Sequence, residues 1–465
     1  SDLELMLTNA YLKYAHDIYY GRVRPEQANI DLQNQERPIK IADVMIQSVN
    51  TNSVAESLNE LLPKYPAYAS LRNALEKYRE IAAAGGWQRI PNGKLQKGSR
   101  GPGVSMLRQR LAVTGEYTGG DNGNQVFDES LEMAVKNYQD RNGLLVDGVV
   151  GDSTIESLNV SAEERVRQIE LSMERLRMLP HYLGDRYVLV NIANFHLYAV
   201  NNNHNALDMR IVAGKPQWNT PMFGELMTHV VINPYWNIPR SILKDEIIPM
   251  IKSDPNYLAN RNIKAPGLRI APIKEESVEN TEQADVAVET VEKQTENGVG
   301  PEAAEPQPTE EELYRARYNS AVLSGKYNLR QEPGPANPLG RIKFLFPNKY
   351  SVYLHDTPNK GFFKRAQRNF SHGCIRVENP QGLAEFVLHA NPGWDANKIR
   401  SRINSGRTQT VYLDRPVPVY ILYFTAWAND DGSVSFHKDI YGHDVLLQNA
   451  LRNQSGSTDL AGSIQ

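Results

Sequence analysis

The spacing of apolar residues changes at Arg186, and this change divides the chain into a helical part and a β-rich part. Before Arg186, apolar residues recur about every 3.6 positions, which predicts amphipathic helices at 3–20, 53–62, 67–83 and 162–178. After it, apolar and polar residues alternate as in strands, over 186–200, 206–214, 228–233, 351–354, 410–413, 419–428 and 433–437. We therefore predict a multidomain α+β protein whose β-domain is mostly antiparallel. The length of 465 residues fits about three domains.

Segment 93–160, in which glycines separate short apolar stretches, interrupts the helical part. Its three short apolar stripes are bounded by glycines, which tolerate the positive φ angles of helix ends: Gly98, Gly115, Gly143, Gly148 and Gly151. The segment therefore predicts three short helices. With its DGVVG turn at 147–151 and its Phe127-Asp128 helix start, it resembles the small three-helix type of peptidoglycan-binding domain, although a plain three-helix module is the alternative. The resemblance implies binding to bacterial wall peptidoglycan and a location outside the cytoplasm.

Acidic residues are concentrated between Glu275 and Glu312. This tract has thirteen Asp and Glu residues against one basic residue, Lys293, so its charge is −12. Since the net charge of the chain is −3, the rest of the chain carries +9. Its Glu-, Pro- and Thr-rich composition predicts disorder. The basic remainder favours an anionic partner. Its charges are scattered and no basic-aromatic motif accompanies them, so no nucleic acid partner is expected.

The sequence also argues against several kinds of site. No apolar run approaches the roughly 20 residues of a membrane helix, so a membrane anchor is not visible, and an N-terminal signal or anchor removed from this chain is left open. The ten histidines show no His-Glu-x-x-His spacing, and a single cysteine excludes thiolate clusters and internal disulfides. Glycine-rich phosphate loops are absent as well. We expect neither a metal nor a cofactor.

Cys374, the one cysteine of the chain, is either a buried, inert side chain or a nucleophile. Its neighbours Ser371, His372 and Gly373 are polar or small, which is a poor core environment. A catalytic cysteine needs a base that takes its proton and donors that hold an oxyanion. His355 ends a predicted strand at 350–355, and the loop that follows is long enough to return Cys374 to it. We therefore predict Cys374 as nucleophile and His355 as general base.

The pattern His355, fifteen residues, Ser-His-Gly-Cys, one residue and Arg376 resembles the signature of the YkuD-type L,D-transpeptidases, whose catalytic domains are β-rich. The order of segments and the stretches INPYWNIP, LGRIKF and YLHDTP are similar to the large YcbB-type members. The resemblance implies a helical scaffold at 1–92 and 161–184, a peptidoglycan-binding domain at 93–160, a catalytic domain at 185–450 and a tail at 451–465. A cap insertion at about 240–338 would contain the disordered acidic tract at about 275–312.

The resemblance also implies roles for the residues around the thiol. A backbone carbonyl, that of Asp356, would orient His355 through its second ring nitrogen, although many smaller relatives have glycine at this position. The backbone N–H groups of Gly373 and Cys374, with the Tyr353 hydroxyl, would hold the oxyanion. The alternative for Tyr353 is an ordinary strand tyrosine.

Four more residues are weaker candidates for substrate binding. They are Arg376, Trp236, Ser371 and His372. His372, two residues from the thiol, is the rival base, but it is expected to point away from Cys374 and to be structural. Arg376 would pair with a substrate carboxylate or brace Glu378, and Trp236 would line the donor cleft or pack in a domain core.

The resemblance implies an L,D-transpeptidase that joins peptidoglycan stems by 3-to-3 cross-links through a cysteine thioester and releases D-alanine. Its partners would be a tetrapeptide donor stem, an amine acceptor stem and other wall-synthesis proteins. The expected location is the periplasm or envelope of a Gram-negative bacterium. Two alternatives stay open: a wall cysteine peptidase that uses water as acceptor, and a non-catalytic wall-binding protein.

Overall fold

The computed structural model describes residues 1–32, 39–120, 123–270, 308–429 and 431–460, with only the backbone for 455–460. The chain forms two compact units, Ser1–Pro234 with Pro338–Gln465, and Tyr235–Asn337. Among the described residues, no helix combines the length and apolarity that crossing a membrane requires.

The first unit begins with a group of helices. They are α1 (Asp2–Tyr20), α2 (Ile41–Asn50), α3 (Val54–Glu60), α4 (Pro66–Ala83) and, after an inserted module, α8 (Ala162–Arg177). The Ser161 side chain caps α8 by accepting from the backbone N–H of Glu164, as N-cap serines do. The four predicted helices are confirmed. Helix α2 was not predicted individually, although its half-buried Ile41, Val44 and Met45 lie at helical spacing on the face of the buried Ser48.

The inserted module contains three helices: α5 (Pro102–Thr114), α6 (Glu129–Arg141) and α7 (Asp152–Leu158). This confirms the predicted helix count. The two chain segments that connect the module to the scaffold helices are hydrogen-bonded to each other. The Asn159 side chain accepts from Ile90 N at 2.7 Å and donates to Ile90 O at 2.9 Å. The Trp87 indole donates to Val160 O at 3.1 Å. The chain therefore enters and leaves the module at one place.

A large sheet forms the centre of the first unit. Its strands are β1 (Ile30–Leu32), β2 (Arg186–Asn191), β3 (His196–Asn201), β4 (His204–Gly214), β5 (Met222–Ile232), β9 (Ile342–Leu345), β10 (Leu354–His355), β11 (Asn369–Ser371), β12 (Ile375–Val377) and β13 (Gln409–Leu422). The order is β1-β5-β13-β2-β3-β4-β12-β10-β9, with β11 beside β4. Because β9 also pairs with β5, the path closes into a barrel. Most pairs are antiparallel, as predicted; β1–β5, β2–β13, β4–β11 and β10–β12 are parallel.

Three predicted strands differ from the observed ones. Residues 410–413 and 419–422 belong to one strand, β13, whose register against β5 shifts between Tyr412 and Val417, where Pro416 lies. The strand predicted at 350–355 is shortened to Leu354–His355, and Ser351 has a φ of 56°, outside the extended region.

The remaining elements of this unit cover the barrel. They are β14 (Ala426–Ala428), β15 (Val434–Phe436), α13 (Pro380–Val387), α14 (Ala396–Asn404) and α15 (His443–Leu460). The main apolar core lies inside the barrel and beneath α13 and α14. Helix α15 continues into the segment that the sequence suggested was a tail.

The second unit has its own apolar core, which includes Ile238, Leu243, Leu258 and Val322. Its elements are β6 (Trp236–Asn237), α9 (Arg240–Ile242), α10 (Ile248–Ser253), α11 (Tyr257–Asn260), β7 (Ile263–Lys264), α12 (Glu310–Leu323) and β8 (Arg330–Gln331). β8 pairs with both β6 and β7.

The disorder predicted for the acidic tract falls mostly on 271–307, outside the described residues. The predicted disordered tract extends too far at its C-terminal end, because Glu310–Glu312 form the first turn of α12. Thr309 accepts from the backbone N–H of Glu312, and the Glu312 carboxylate accepts from the backbone N–H of Thr309. This capping box, with three acidic residues at the positive helix end, explains why the helix begins there.

A buried ion pair joins α8 to α15. Arg175 Nη1 lies 2.6 Å from Asp444 Oδ1, and the arginine side chain is 2% exposed. The Thr425 hydroxyl donates to the other carboxylate oxygen at 2.5 Å. A partner removed from a buried pair leaves an uncompensated charge, which is strongly destabilising.

We expect Asp444→Asn to lower the free energy of unfolding by about 3–5 kcal/mol, because Arg175 would stay buried without its counter-charge. Chemical denaturation followed by circular dichroism measures this. The matched control is Glu170→Gln, which breaks the exposed pair with Arg79 and should cost less than about 1 kcal/mol. Equal effects of the two substitutions would contradict the structural importance of the buried pair.

Candidate active site

The loop between β11 and β12 carries Cys374, and its own side chains fix its shape. Ser371 Oγ donates to Cys374 O at 2.6 Å and accepts from Gly373 N at 3.1 Å. Gly373 has a φ of 109°, a conformation that side chains other than glycine rarely adopt. The loop therefore presents the half-buried thiol from a turn that is closed by internal hydrogen bonds.

A second set of hydrogen bonds anchors this loop to the end of β4. Thr220 Oγ1 donates to Gly373 O at 2.8 Å and accepts from Gly214 N at 3.0 Å, and the Tyr441 hydroxyl donates to Gly214 O at 2.5 Å. A Cβ atom on Gly214 would lie 2.0 Å from the carbonyl oxygen of Trp218, so only glycine fits. Thr220 and Gly214 were not predicted as site residues, because nothing near them in the sequence marks a contact with residue 373.

The pairing of β10 with β12 places the two predicted catalytic residues on neighbouring segments. The parallel register places Leu354 beside Ile375 and His355 beside Arg376, and Ile375 N donates to Tyr353 O at 3.1 Å. Cys374, one residue before β12, therefore lies next to Tyr353. The Tyr353 side chain is close enough to the thiol to oppose the rise that burial causes in the pKa of Cys374.

His355 is buried, at 5% exposure, and its ring is held from one side. Nδ1 lies 2.5 Å from Asp356 O, which can only accept, so Nδ1 carries the proton and Nε2 has the lone pair. Burial lowers the pKa of His355 to about 3, and the positive charges of Arg376 and Lys343 act in the same direction. The imidazole is therefore neutral and able to accept a proton at physiological pH.

The thiol is also neutral in the resting site. Burial raises the pKa of Cys374, although hydrogen bonds from Tyr353 and the charges of Lys343 and Arg376 oppose this effect. Its sulfur lies 3.8 Å from Ser351 O, at the geometry of a weak S–H donor. Because the thiolate is the nucleophilic form, this site needs a base.

Lys343 is a charged neighbour that the sequence analysis did not single out. It lies on β9, directly across from His355 in the register of β9 and β10. Its Nζ is 3.8 Å from the centroid of the Tyr353 ring. The alternation of buried and half-buried residues along LGRIKF indicates only that residue 343 faces away from the core.

One predicted oxyanion donor is engaged elsewhere. Gly373 N–H donates to Ser371 Oγ, and its role as an oxyanion donor stays a prediction. The carboxylate of Asp356 accepts from Arg341 N at 2.8 Å and from Lys360 Nζ at 2.7 Å, which fixes the loop that carries the carbonyl facing His355.

The four weaker candidates occupy different places. Ser371 is 2% exposed and closes the cysteine loop, so it braces the site instead of meeting substrate. His372 packs on Trp218 with ring centroids 4.3 Å apart, consistent with a structural role. Arg376 lies over the Phe362 ring at 5.4 Å. Trp236 lies in the second unit, where it packs against that unit's core.

The described residues contain no group of three or more His, Cys, Asp or Glu side chains placed to hold a metal ion.

Models of known families match three parts of the chain. An L,D-transpeptidase catalytic domain matches 185–421, a scaffold domain matches 1–75, and a domain provisionally described as peptidoglycan-binding matches 100–158. A Haemophilus influenzae protein provisionally named an L,D-transpeptidase is 27% identical over 335 residues, which are 71% of this chain and 58% of that protein. The chain therefore spans less than two thirds of that relative.

Two solved structures have some similarity to the chain. One is the L,D-transpeptidase of Xylanimonas cellulosilytica (residues 123–326), at 13% identity and a TM-score of 0.20, covering 71% of this chain and 98% of that one. The other is a fused Zn-dependent amidase/peptidase/peptidoglycan-binding domain-containing protein of Clostridium acetobutylicum, at 14% identity and a TM-score of 0.14, covering 30% and 70%. At these scores neither carries an argument about the fold.

We expect the His355 imidazole to stay neutral between pH 8 and pH 5, because burial lowers its pKa to about 3. The measurement is NMR of the ring resonances, assigned by their loss in His355→Gln. In denaturant, where burial is removed, the same ring should titrate near about 6.5. A midpoint near 6.5 in the folded protein would show that the ring is solvated.

Proposed function

The chain belongs to the family of proteins with an L,D-transpeptidase catalytic domain, and on that premise we propose that it cross-links peptidoglycan stems through a thioester on Cys374. One observation carries the proposal: a buried, neutral imidazole, with Nδ1 held by a backbone carbonyl, lies on the strand beside the chain's one cysteine. The match to a peptidoglycan-binding domain supports the same substrate.

The acylation step transfers one proton and exchanges one bond. His355 Nε2 takes the thiol proton as sulfur attacks the carbonyl carbon of the third, L-centred residue of a tetrapeptide stem. The amide bond to the terminal D-alanine breaks, its nitrogen takes the proton back from His355, and D-alanine leaves. The acyl group remains on sulfur as a thioester.

The second step reverses these transfers with a different amine. A side-chain amine of an acceptor stem attacks the thioester carbonyl, and His355 takes the proton that the new amide nitrogen loses. The proton returns to sulfur, which restores the thiol. A new amide bond has replaced the one to D-alanine, so no net hydrolysis occurs. Water in place of the amine would give a tripeptide stem instead.

Negative charge that develops on the carbonyl oxygen needs donors near Cys374. The Tyr353 hydroxyl, which contacts the thiol, and the Cys374 N–H are the donors that we assign to this role. Asp356 has an indirect role, since its carbonyl selects the tautomer of His355.

We expect Cys374→Ala to abolish release of D-alanine, because no other group in the chain can form the thioester. His355→Ala should lower the rate by about 10²–10⁴-fold, the usual contribution of a general base. His372→Ala should lose much less, since its ring packs on Trp218. Disaccharide-tetrapeptide is the substrate, and mass spectrometry of the products is the measurement.

The exposed His389, two residues after helix α13, provides the matched control, and His389→Ala should leave the rate unchanged. Cross-linked dimers identify transfer, whereas tripeptide alone, with acceptor present, would identify the hydrolytic alternative. Full activity of Cys374→Ala would overturn the proposal.

A carbapenem should acylate Cys374, because its strained amide resembles the D-alanyl end of the donor and sulfur attack opens the ring without loss of atoms. Intact-protein mass spectrometry should show one adduct of the full mass of the carbapenem. Cys374→Ala, which removes the thiol, should show none. An adduct of equal yield on that variant would place the reaction elsewhere.

A further inference from the structure

His355 lies between two cations in the central sheet. Strand β10 has β9 on one side and β12 on the other; in these registers Lys343 and Arg376 are the direct neighbours of His355. Side chains of in-register neighbours project from the same face of a sheet. The residues beside them in β9, β10 and β12 alternate into the barrel core, where Phe344, Leu354 and Ile375 are fully buried. Lys343, His355 and Arg376 therefore form a row on the opposite face.

Lys343 is held close to the group that contacts the thiol. Its Nζ lies 3.8 Å from the centroid of the Tyr353 ring, within the range of a cation–π interaction. In the register of β10 and β12, Tyr353 lies beside Cys374, and its side chain lowers the pKa of the thiol. The ammonium and the sulfur thus lie near the same side chain.

The half-buried position of Lys343 is costly for a cation. Burial lowers the pKa of Lys343, and the group that acts in the opposite direction is Cys374. In the described part of the chain, no aspartate or glutamate forms an ion pair with Lys343. The matching negative charge is the one that Cys374 acquires when it loses its proton.

We propose, taking Cys374 as the nucleophile of the proposed function, that Lys343 is a positioning residue that stabilises the thiolate of Cys374 and keeps His355 neutral. It acts through the site, by its charge and by its contact with the Tyr353 ring, and it does not react itself. Both effects have the same direction: a cation favours the deprotonated forms of a neighbouring thiol and a neighbouring imidazole.

Other titratable groups share this environment. Tyr353, just before β10, and Arg376, on β12, both act on the pKa of Cys374. His355 lies on β10 beside Arg376. On β5, His229 is close enough to Lys343 for the lysine charge to lower the pKa of His229. The Asp356 carboxylate is bound to Lys360. Arg376 has the same sign of effect as Lys343, so loss of Lys343 should weaken the stabilisation of the thiolate without removing it.

The test measures the rate of alkylation of Cys374 by iodoacetamide as a function of pH in the full chain. Because the chain has one cysteine, the signal has a single source. Lys343→Met, which keeps the length and removes the charge, should move the profile to higher pH and lower the rate near neutral pH by about three- to tenfold. Lys343→Arg should stay within about twofold of the wild type. Lys343→Gln is a second neutral variant, in case the methionine variant does not fold.

Lys349 provides the matched control. Its Nζ also lies over a tyrosine ring, that of Tyr350, at 5.2 Å, but it pairs with Asp31 at 2.8 Å. Lys349→Met should leave the alkylation profile unchanged. A folded Lys343→Met or Lys343→Gln variant with the wild-type profile would overturn the proposal, and so would an arginine variant that shifts as far as the neutral ones.

Alkylation needs no wall substrate, so its outcome is separate from that of the proposed function. A shifted profile in a protein that transfers no acyl group would support the proposed role of Lys343 and refute the transfer activity. An unshifted profile in an active transpeptidase would refute only the proposed role of Lys343.

Discussion

The parallel pairing of β10 with β12 is the contact on which the candidate site depends. It is short, with two residue pairs, Leu354 with Ile375 and His355 with Arg376. The apolar pair lies in the barrel core, so its burial stabilises the register by the hydrophobic effect. A slip of one residue would turn His355 into the core and Leu354 out of it. The same burial that holds the barrel together therefore also fixes which residues surround the thiol.

Burial has opposite consequences for the two reacting groups. It keeps His355 neutral, which suits a base, and it keeps Cys374 protonated, which opposes nucleophilic attack. Removing more water would strengthen both effects. Cations and hydrogen-bond donors placed beside the sulfur change this balance, since they stabilise the thiolate without solvating the imidazole. Tyr353, Lys343 and Arg376 are the groups in that position.

Local sequence patterns singled out the candidate residues Cys374 and His355 and the strand that ends at His355, but not the strands β9, β11 and β12 around them. Cys374 could be singled out because it is the one thiol among small and polar neighbours, and His355 because it ends an alternating segment. Thr220 and Lys343 could not be found in this way. Their contacts depend on pairing between strands far apart in the chain, and strand register is a property of the whole sheet. The engaged Gly373 N–H was missed for a related reason, because a turn's internal hydrogen bonds depend on its three-dimensional closure.

The three-helix module is joined to the helical scaffold at one place and to the β14–β15 hairpin at another. Because Asn159 and Ile90 are hydrogen-bonded to each other, the two chain ends of the module meet between α4 and α8. Away from this junction, the Phe436 N–H donates to Asn142 Oδ1 at 2.9 Å, which ties the module to the hairpin. A chimaera in which a foreign domain replaces the module would therefore keep the junction but leave a buried donor on β15 unsatisfied.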